Sequence, residues 1–171
     1  MTFTAPVKRV AAPFVAGERE SLAAWLDFHR ATLLAKLDGL DDEQLRRPMV
    51  PSGLCLLGLV KHLSAVEHGW FVVTFARSGE PYLFDDPDDP DADFKIGEDE
   101  TTTSVVAGYL RMCERGREIV AAAASLDQTV PHPRRGELDL RWILVHMIEE
   151  TARHNGHADI IRELIDGATG D

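Results

Sequence analysis

Glu150 and His154 lie four positions apart in a segment with helical periodicity near the carboxyl end of the sequence. On an α-helix this spacing puts both side chains on one face, with Cβ atoms about 6 Å apart, so both can reach one ion. At heptad spacing, the core-facing positions of this segment are apolar except for Glu150, His154 and His157. Buried ionisable groups are costly unless they are paired or bound to a metal. The pattern predicts half of a metal site, with an ion pair across one helical turn as the alternative.

His62 is the candidate third ligand, because it lies on the apolar face of another helical segment. Small residues on that face, Gly58, Ala65 and Gly69, would leave a void beside the imidazole, as in a ligand pocket. A hydrogen-bonded core histidine is the alternative. Two histidines and one carboxylate are typical of a catalytic divalent-metal site, since a fourth coordination position stays free for water or substrate. Zinc and nickel are the expected ions.

The ligand set on the last helical segment has a second possible composition. His157 lies three positions after His154 and could share an ion with it, so His62, His154 and His157 form an alternative trio. We expect Glu150, rather than His157, to be the ligand.

Four segments with the 3.6-residue period of an amphipathic helix must position these side chains. Their predicted bounds are Glu18 to Leu40, Ser52 to about Arg77, Thr102 or Thr103 to about Ala124, and Asp139 to Ile165. A short turn of helix capped by Asp41 or Asp42 should follow the first segment, and Gly167 should end the last one. Because no segment alternates as a strand does, we predict an all-α fold, a four-helix bundle.

Length and charge narrow the class of protein. The 171 residues are expected to form one domain, 1–171, with an acidic loop at about 78–100. The 29 acidic against 18 basic side chains give a formal net charge of −11, which repels a phosphate backbone, so we expect no nucleic-acid partner. The longest stretch without a charged residue, 48–60, is too short to cross a bilayer. No signal peptide is evident, and a cytoplasmic protein is expected.

The two cysteines, Cys55 and Cys113, fall within predicted helices and not in a spaced disulfide framework, which favours a reducing compartment. We expect both to be small buried side chains. His29 is expected to be structural, and His68 and His132 are expected at the surface.

The acidic loop contains a second metal-binding pattern. Four carboxylates stand at positions 1, 3, 5 and 12 of a calcium-loop pattern, namely Asp89, Asp91, Asp93 and Glu100. Such a loop needs glycine at its sixth position for the sharp turn, and Phe94 stands there. A solvated acidic connection is therefore the favoured interpretation.

Two stretches of the sequence resemble the DinB-like metalloproteins, and more closely their mycothiol S-transferase branch. They are SGLCLLGLVKHL at 52–63 and RWILVHMIEETARHNGHADIIRELIDG at 141–167, of which HMIEETARHNGHAD is the most specific part. The likeness runs through nearly the whole chain, including GLDDEQLRRP at 39–48. It implies a four-helix bundle, often a homodimer, with a divalent metal at one end. Many DinB-like proteins have His-x-x-x-His on the last helix, and Glu150 at the first of those positions favours the mycothiol-dependent branch.

The resemblance also implies a reaction. Mycothiol or a related low-molecular-weight thiol would be the cosubstrate, and a small electrophile the substrate. A divalent ion with a free position lowers the pKa of a bound thiol, and the thiolate is the species that attacks. Candidate helpers are His157 as a proton carrier, and Arg30 or Arg153 as an anchor for substrate carboxylates. We predict a metal-dependent thiol S-transferase, with a non-catalytic metal-binding helical bundle as the alternative.

Overall fold

The computed structural model describes residues 2–170, most of which are helical. The helices are α1 Glu18–Ala35, α2 Asp42–Arg46, α3 Leu56–Glu67, α4 Thr102–Ala122 and α5 Leu140–Asp166. A π-helical segment, His68–Phe75, continues α3 directly, and a short 3₁₀ turn, Ala92–Phe94, lies in the acidic loop. The prediction of a predominantly helical fold is confirmed.

A small hairpin connects α4 to α5. Its strands, β1 Thr129–His132 and β2 Gly136–Asp139, pair antiparallel, with Thr129 opposite Asp139. Gly136 turns the chain at a φ of 79°, a left-handed conformation that glycine adopts without strain. The all-α prediction is wrong here, because two four-residue strands, one of which contains Pro131, are too short for alternation to reveal them. The four-helix bundle type stays a prediction.

Most predicted helix ends agree with the structure. Asp139 caps α5 by accepting the backbone N–H of Trp142 at 2.7 Å, and Gly167, with a φ of 80°, ends that helix. The predicted start of α3 at Ser52 is wrong, because Cys55 is the N-cap and its Sγ accepts the N–H of Gly58. Cys55 therefore lies at the start of α3 and not within a helix.

The buried stripe of α5 follows the 3.6-residue period more closely than the heptad spacing used above. A straight α-helix drifts by about 20° per heptad relative to a 3.5-residue repeat. Ala158 and Ile161 are buried, whereas His157 is exposed and Leu164 is 55% exposed. Leu164 stands seven positions after His157, so heptad spacing places both at the core, and for this reason the prediction is wrong for both.

Two apolar clusters fill the interior, and polar side chains lie between them. One cluster joins α1, α2, α3, α4 and the end of α5, and the other joins the π-helical segment, the hairpin and the start of α5. Along α5, Met147 belongs to the second cluster and Ala158 to the first, with buried Thr151, His154 and Asn155 between them. α5 packs against both α1 and α3. The candidate ligands therefore lie at the junction of the two clusters.

Among residues 2–170, no helix combines the length and the apolar character that crossing a membrane requires.

Candidate metal centre

The three predicted ligands come from two helices that pack against each other. His62 lies in the middle of α3, and Glu150 and His154 lie one turn apart in α5. One ligand atom from each of the three side chains lies within 4.8 Å of the other two. The structure therefore brings His62, Glu150 and His154 together.

The distances within this group fit one divalent ion. Glu150 Oε1 lies 3.4 Å from His154 Nε2 and 3.7 Å from His62 Nε2. A zinc ion holds such ligands at about 2.1 Å, so the ligand atoms of a tetrahedral sphere lie roughly 3.4 Å apart. Within residues 2–170, the buried His62 Nε2 has no hydrogen-bond partner. An orphaned nitrogen beside a carboxylate oxygen is what an ion between them would satisfy.

His154 is biased toward the neutral form in which imidazole binds metals. Burial lowers its pKa, and the neighbouring His62 lowers it further, whereas Glu150 acts in the opposite direction. Because a ligating histidine must present a free electron pair, a lowered pKa reduces the competition from protons.

A segment of the acidic loop covers His62 on the side away from Glu150. Asp93 Oδ2 lies 2.7 Å from His62 Nδ1, and the Phe94 ring stacks on the imidazole with centroids 3.9 Å apart. Lys61 fixes the same segment by donating to the Lys95 carbonyl oxygen at 2.7 Å. Sequence reasoning missed Asp93 and Phe94 as neighbours of His62. The available signal was Phe94 itself, a large apolar residue in an otherwise acidic stretch.

The predicted void beside His62 is filled by the same loop. A Cβ atom at Gly58 would collide with the carbonyl oxygen of Phe94, and one at Gly69 would lie 3.3 Å from the ring of Tyr82. Gly58 and Gly69 therefore allow the loop to approach α3 closely, and the prediction of a void is wrong at Gly58. Ala65 and Gly69 do line a cavity of about 310 Å³, which extends to Asp93 but whose lining does not include His62.

A cleft of about 250 Å³ lies next to the group instead. Its lining residues are Ser52, Gly53, Leu54, Asp91, Phe94, Lys95, His154 and His157. His157 Nδ1 lies 3.3 Å from His154 Nδ1, on the opposite side of the His154 ring from Nε2. If His154 binds an ion through Nε2, its Nδ1–H donates to His157, so His157 orients a ligand at this site.

The two predicted arginine anchors lie elsewhere. Arg30 is buried, and its guanidinium donates to both carboxylate oxygens of Glu67 at 2.6 Å and to Asp27 at 2.8 Å. Its donors are therefore committed to the interior, and it lines other cavities than the cleft beside His154. Arg153 is exposed on α5 and pairs with Glu149 at 2.8 Å. The structure brings neither arginine to the cleft.

A second group on α5 also has ligand atoms within reach of one another, namely His146, Glu149 and Glu150. All three come from little more than one turn of a single helix. Glu149 is half-exposed, and one of its oxygens is already held by Arg153. Exposed carboxylates in this arrangement are commonly solvated. The site formed by α3 and α5 is the better supported metal centre, because it is more buried and contains an orphaned nitrogen.

The carboxylates of the calcium-loop pattern are directed to separate partners. Asp89 pairs with Lys95, Asp93 with His62, and Glu100 with Lys61. Among residues 2–170, they do not form a group that could hold an ion. The structure therefore favours the interpretation of this stretch as a connection.

The cysteines are buried and poorly suited to nucleophilic chemistry. Burial raises the pKa of Cys113 to about 12, and it also raises the pKa of Cys55. The attacking form of cysteine is the thiolate, which is scarce at neutral pH under these conditions.

The expectation that His68 lies at the surface is wrong. His68 is buried and lies 3.2 Å from Glu80, because the π-helical segment directs it inward.

The fold and the site define a predominantly helical protein with a histidine and glutamate group that is able to hold a metal. A family model described as Mycothiol-S-transferase matches residues 21–167. The chain therefore belongs to the mycothiol-S-transferase family, which is DinB-like. A search of the curated proteins gave no match.

Proposed function

We propose that this chain is a metal-dependent thiol S-transferase that joins mycothiol, or a similar low-molecular-weight thiol, to a small electrophile. The observation that carries the proposal is the meeting of His62, Glu150 and His154 beside a cleft. Membership of the mycothiol-S-transferase family supports the choice of thiol. A divalent ion at these ligands, zinc or nickel, would supply the positive charge that keeps a thiol sulfur ionised near neutral pH.

The three side chains have distinct roles in this proposal. His62 and His154 offer neutral nitrogens, and Glu150 offers the only formal negative charge of the three. One carboxylate leaves a net positive charge on a divalent site, which favours an anionic sulfur over neutral water. Three protein ligands also leave room for a fourth.

The cleft provides the remaining functions. Leu54 and Phe94 give it an apolar wall that excludes water from the reacting carbon, and Lys95 supplies a cation for an anionic group of the thiol or the electrophile. Lys95 is 64% exposed and pairs with Asp89, so it can exchange partners at low cost. Lys95 replaces Arg30 as the proposed anchor, and Arg153 stays a prediction.

The proposed reaction balances without a protein nucleophile. The thiol loses its proton, the sulfur electron pair forms a bond to the electrophilic carbon, and the leaving group departs with its own bonding electrons. His157 is exposed at the cleft and carries the proton to solvent, which requires its ring to turn away from His154.

The proposal is tested by transfer assays on the zinc-loaded, nickel-loaded and metal-free protein, with mycothiol, bacillithiol and glutathione and one model electrophile. We expect turnover with mycothiol that is lost on chelation and restored by the metal. His62→Ala should be inactive. Lys8→Ala replaces an exposed residue that is distant from His62 in the sequence, and it controls for losses of activity during mutagenesis and purification. If the metal-loaded protein transfers none of the three thiols faster than buffer does, the transferase proposal is wrong.

The same assay decides the alternative, a non-catalytic metal-binding helical protein. Tight binding of one ion without turnover would support that alternative. A homodimer and a cytoplasmic location remain predictions implied by the resemblance and by the sequence.

A further inference from the structure

We propose that Asp93, in the acidic loop, is the positioning residue for His62. It would accept the Nδ1–H of that imidazole and thereby present the Nε2 electron pair to the metal. This inference rests on the proposed metal centre. It concerns a loop carboxylate whose role the ligand set alone does not indicate.

Asp93 is the acceptor in its hydrogen bond with His62. Asp93 Oδ2 lies 2.7 Å from His62 Nδ1. An ionised carboxylate can only accept a hydrogen bond, so the proton must be on Nδ1. A neutral imidazole with Nδ1 protonated carries its free electron pair on Nε2.

His62 Nε2 is the ring nitrogen that remains for an ion. Within residues 2–170 this atom is buried and has no hydrogen-bond partner, and the Glu150 oxygen at 3.7 Å is beyond hydrogen-bond distance. Asp93, at 2.7 Å from Nδ1, is therefore the stronger acceptor for the ring proton, and its contact favours the Nδ1–H tautomer over the one directed at Glu150. The nitrogen that lacks a partner is also the one that faces Glu150 and His154.

Several contacts hold in place the segment that carries Asp93. Phe94 stacks on the His62 ring, the Phe94 carbonyl fits against Gly58, and Lys61 holds the Lys95 carbonyl. Asp93 itself is only 21% exposed. A carboxylate in a segment fixed by such contacts orients an imidazole more firmly than a mobile surface side chain does.

The consequence is that the loop takes part in metal binding without supplying a ligand. Carboxylate partners of ligating histidines raise ligand basicity and fix ring orientation, and their loss typically lowers metal affinity about 10- to 100-fold. By linkage, an ion on His62 should in turn favour the docked position of the 91–95 segment.

The test compares the full-length wild-type protein with Asp93→Leu, Asp93→Asn and Asp88→Asn. Asp93→Leu removes the acceptor, and Asp93→Asn keeps the shape with a weaker one. Asp88 is an exposed carboxylate of the same loop and serves as the matched control. Circular dichroism checks that each variant folds. If Asp93→Leu does not fold, the result for Asp93→Asn decides the proposal.

The first measurement is the tautomer of His62 in the metal-free protein. Ring ¹⁵N signals are recorded at about pH 8, where an ordinary histidine is neutral, and are assigned by their loss in His62→Ala. We expect an Nδ1–H tautomer in the wild type and in Asp88→Asn, and a shift toward Nε2–H in the Asp93 variants. An Nε2–H wild type, or unchanged tautomers in both Asp93 variants, would overturn the proposal.

The second measurement is zinc affinity by competition with a chelating dye. We expect the dissociation constant to rise about 10- to 100-fold in Asp93→Leu, less in Asp93→Asn, and not in Asp88→Asn. Unchanged affinity in Asp93→Leu would also overturn the proposal. If the wild type binds no zinc, the metal centre fails, and the tautomer measurement still decides whether Asp93 positions His62.

Discussion

Glu150 is the side chain on which the two imidazoles of the centre converge. Its Oε1 lies 3.4 Å from His154 Nε2 and 3.7 Å from His62 Nε2, whereas His157 is exposed and contacts His154 through Nδ1. This geometry favours Glu150 over His157 as the third ligand.

Replacement of Glu150 by glutamine should therefore weaken metal binding more than replacement of His157. Glu150→Gln removes the only negative charge among the three ligands, so we expect a loss of zinc affinity above the roughly 10- to 100-fold that an outer partner costs. His157→Gln should stay within that range. The two dissociation constants, measured by chelator competition, check this order, and equal losses would contradict it.

The two cysteines should be unreactive in the native protein. Burial raises the pKa of Cys113 to about 12 and raises that of Cys55, so neither is appreciably ionised near pH 8. Ellman's reagent should therefore modify neither cysteine quickly in the folded chain, and both cysteines after denaturation. Rapid modification of one cysteine under native conditions would show that a cysteine nucleophile had been overlooked.

For individual residues, the sequence predicts contacts between side chains that are close to each other along the chain. Glu150 and His154 can be paired from their spacing, because one helical turn fixes their separation. Asp93 could not be paired with His62 in that way, because the two are 31 positions apart and their contact depends on how a loop folds back. The buried contact of Arg30 could not be predicted for the same reason, since its partner Glu67 is 37 positions away.

At the scale of elements, a buried ion pair joins α1 to α3 beside α4. The side chains of Arg30 and Glu67 are 5% and 1% exposed, and a Cβ at Gly116 of α4 would lie 3.0 Å from the Arg30 guanidinium. Gly116 therefore leaves the space that the pair occupies. Such pairs add little net stability when compared with apolar side chains, but their disruption leaves one buried charge without compensation.

We expect Glu67→Gln to lower the free energy of unfolding by about 3 kcal/mol, because the buried Arg30 guanidinium loses its buried carboxylate partner and keeps the half-exposed Asp27. Glu43→Gln, which breaks the exposed pair with Arg47, is the matched control and should cost less than about 1 kcal/mol. Urea denaturation measures both values. Equal small losses would mean that the buried pair is not important for stability.

The close approach of the acidic loop to α3 predicts a second difference between matched variants. Gly58→Ala should displace the Phe94 carbonyl, lower the free energy of unfolding by about 1–3 kcal/mol and weaken metal binding through His62. Gly156→Ala adds a methyl group to α5 where, within residues 2–170, nothing beyond its chain neighbours and its own helical backbone lies within 4 Å, so it should be neutral or stabilising by up to about 1 kcal/mol. Thermal unfolding and zinc titration distinguish the two. A Gly58→Ala protein with wild-type values in both would contradict the loop position.

The elements themselves are predictable where local chemistry defines their ends. Asp139 and Gly167 delimit α5 because a side-chain cap and a left-handed glycine are local signals. The hairpin was not predicted because its strands span four residues each. The buried face of α5 was predicted incorrectly toward the end of the helix, because heptad spacing assumes a supercoiled helix. The packing of the acidic loop against α3 depends on long-range contacts, and Phe94 was the one sequence feature that indicated it.

At the scale of the whole molecule, the candidate centre lies where two apolar clusters meet along α5. Apolar packing on both sides holds the helices that carry the ligands, so the ligands need little reorganisation to bind an ion. The net charge of −11 also favours the approach of cations. These features agree with a site assembled by the fold and covered by one loop.

Cobalt titration of the metal-free protein tests the central claim most directly, because cobalt reports its own coordination by visible absorption. We predict saturation at one ion per chain with the intense bands of a tetrahedral site, and a new sulfur-to-cobalt charge-transfer band when mycothiol is added. His62→Ala should show neither. A wild-type protein that binds no cobalt, or whose cobalt spectrum does not change with mycothiol, would contradict the account.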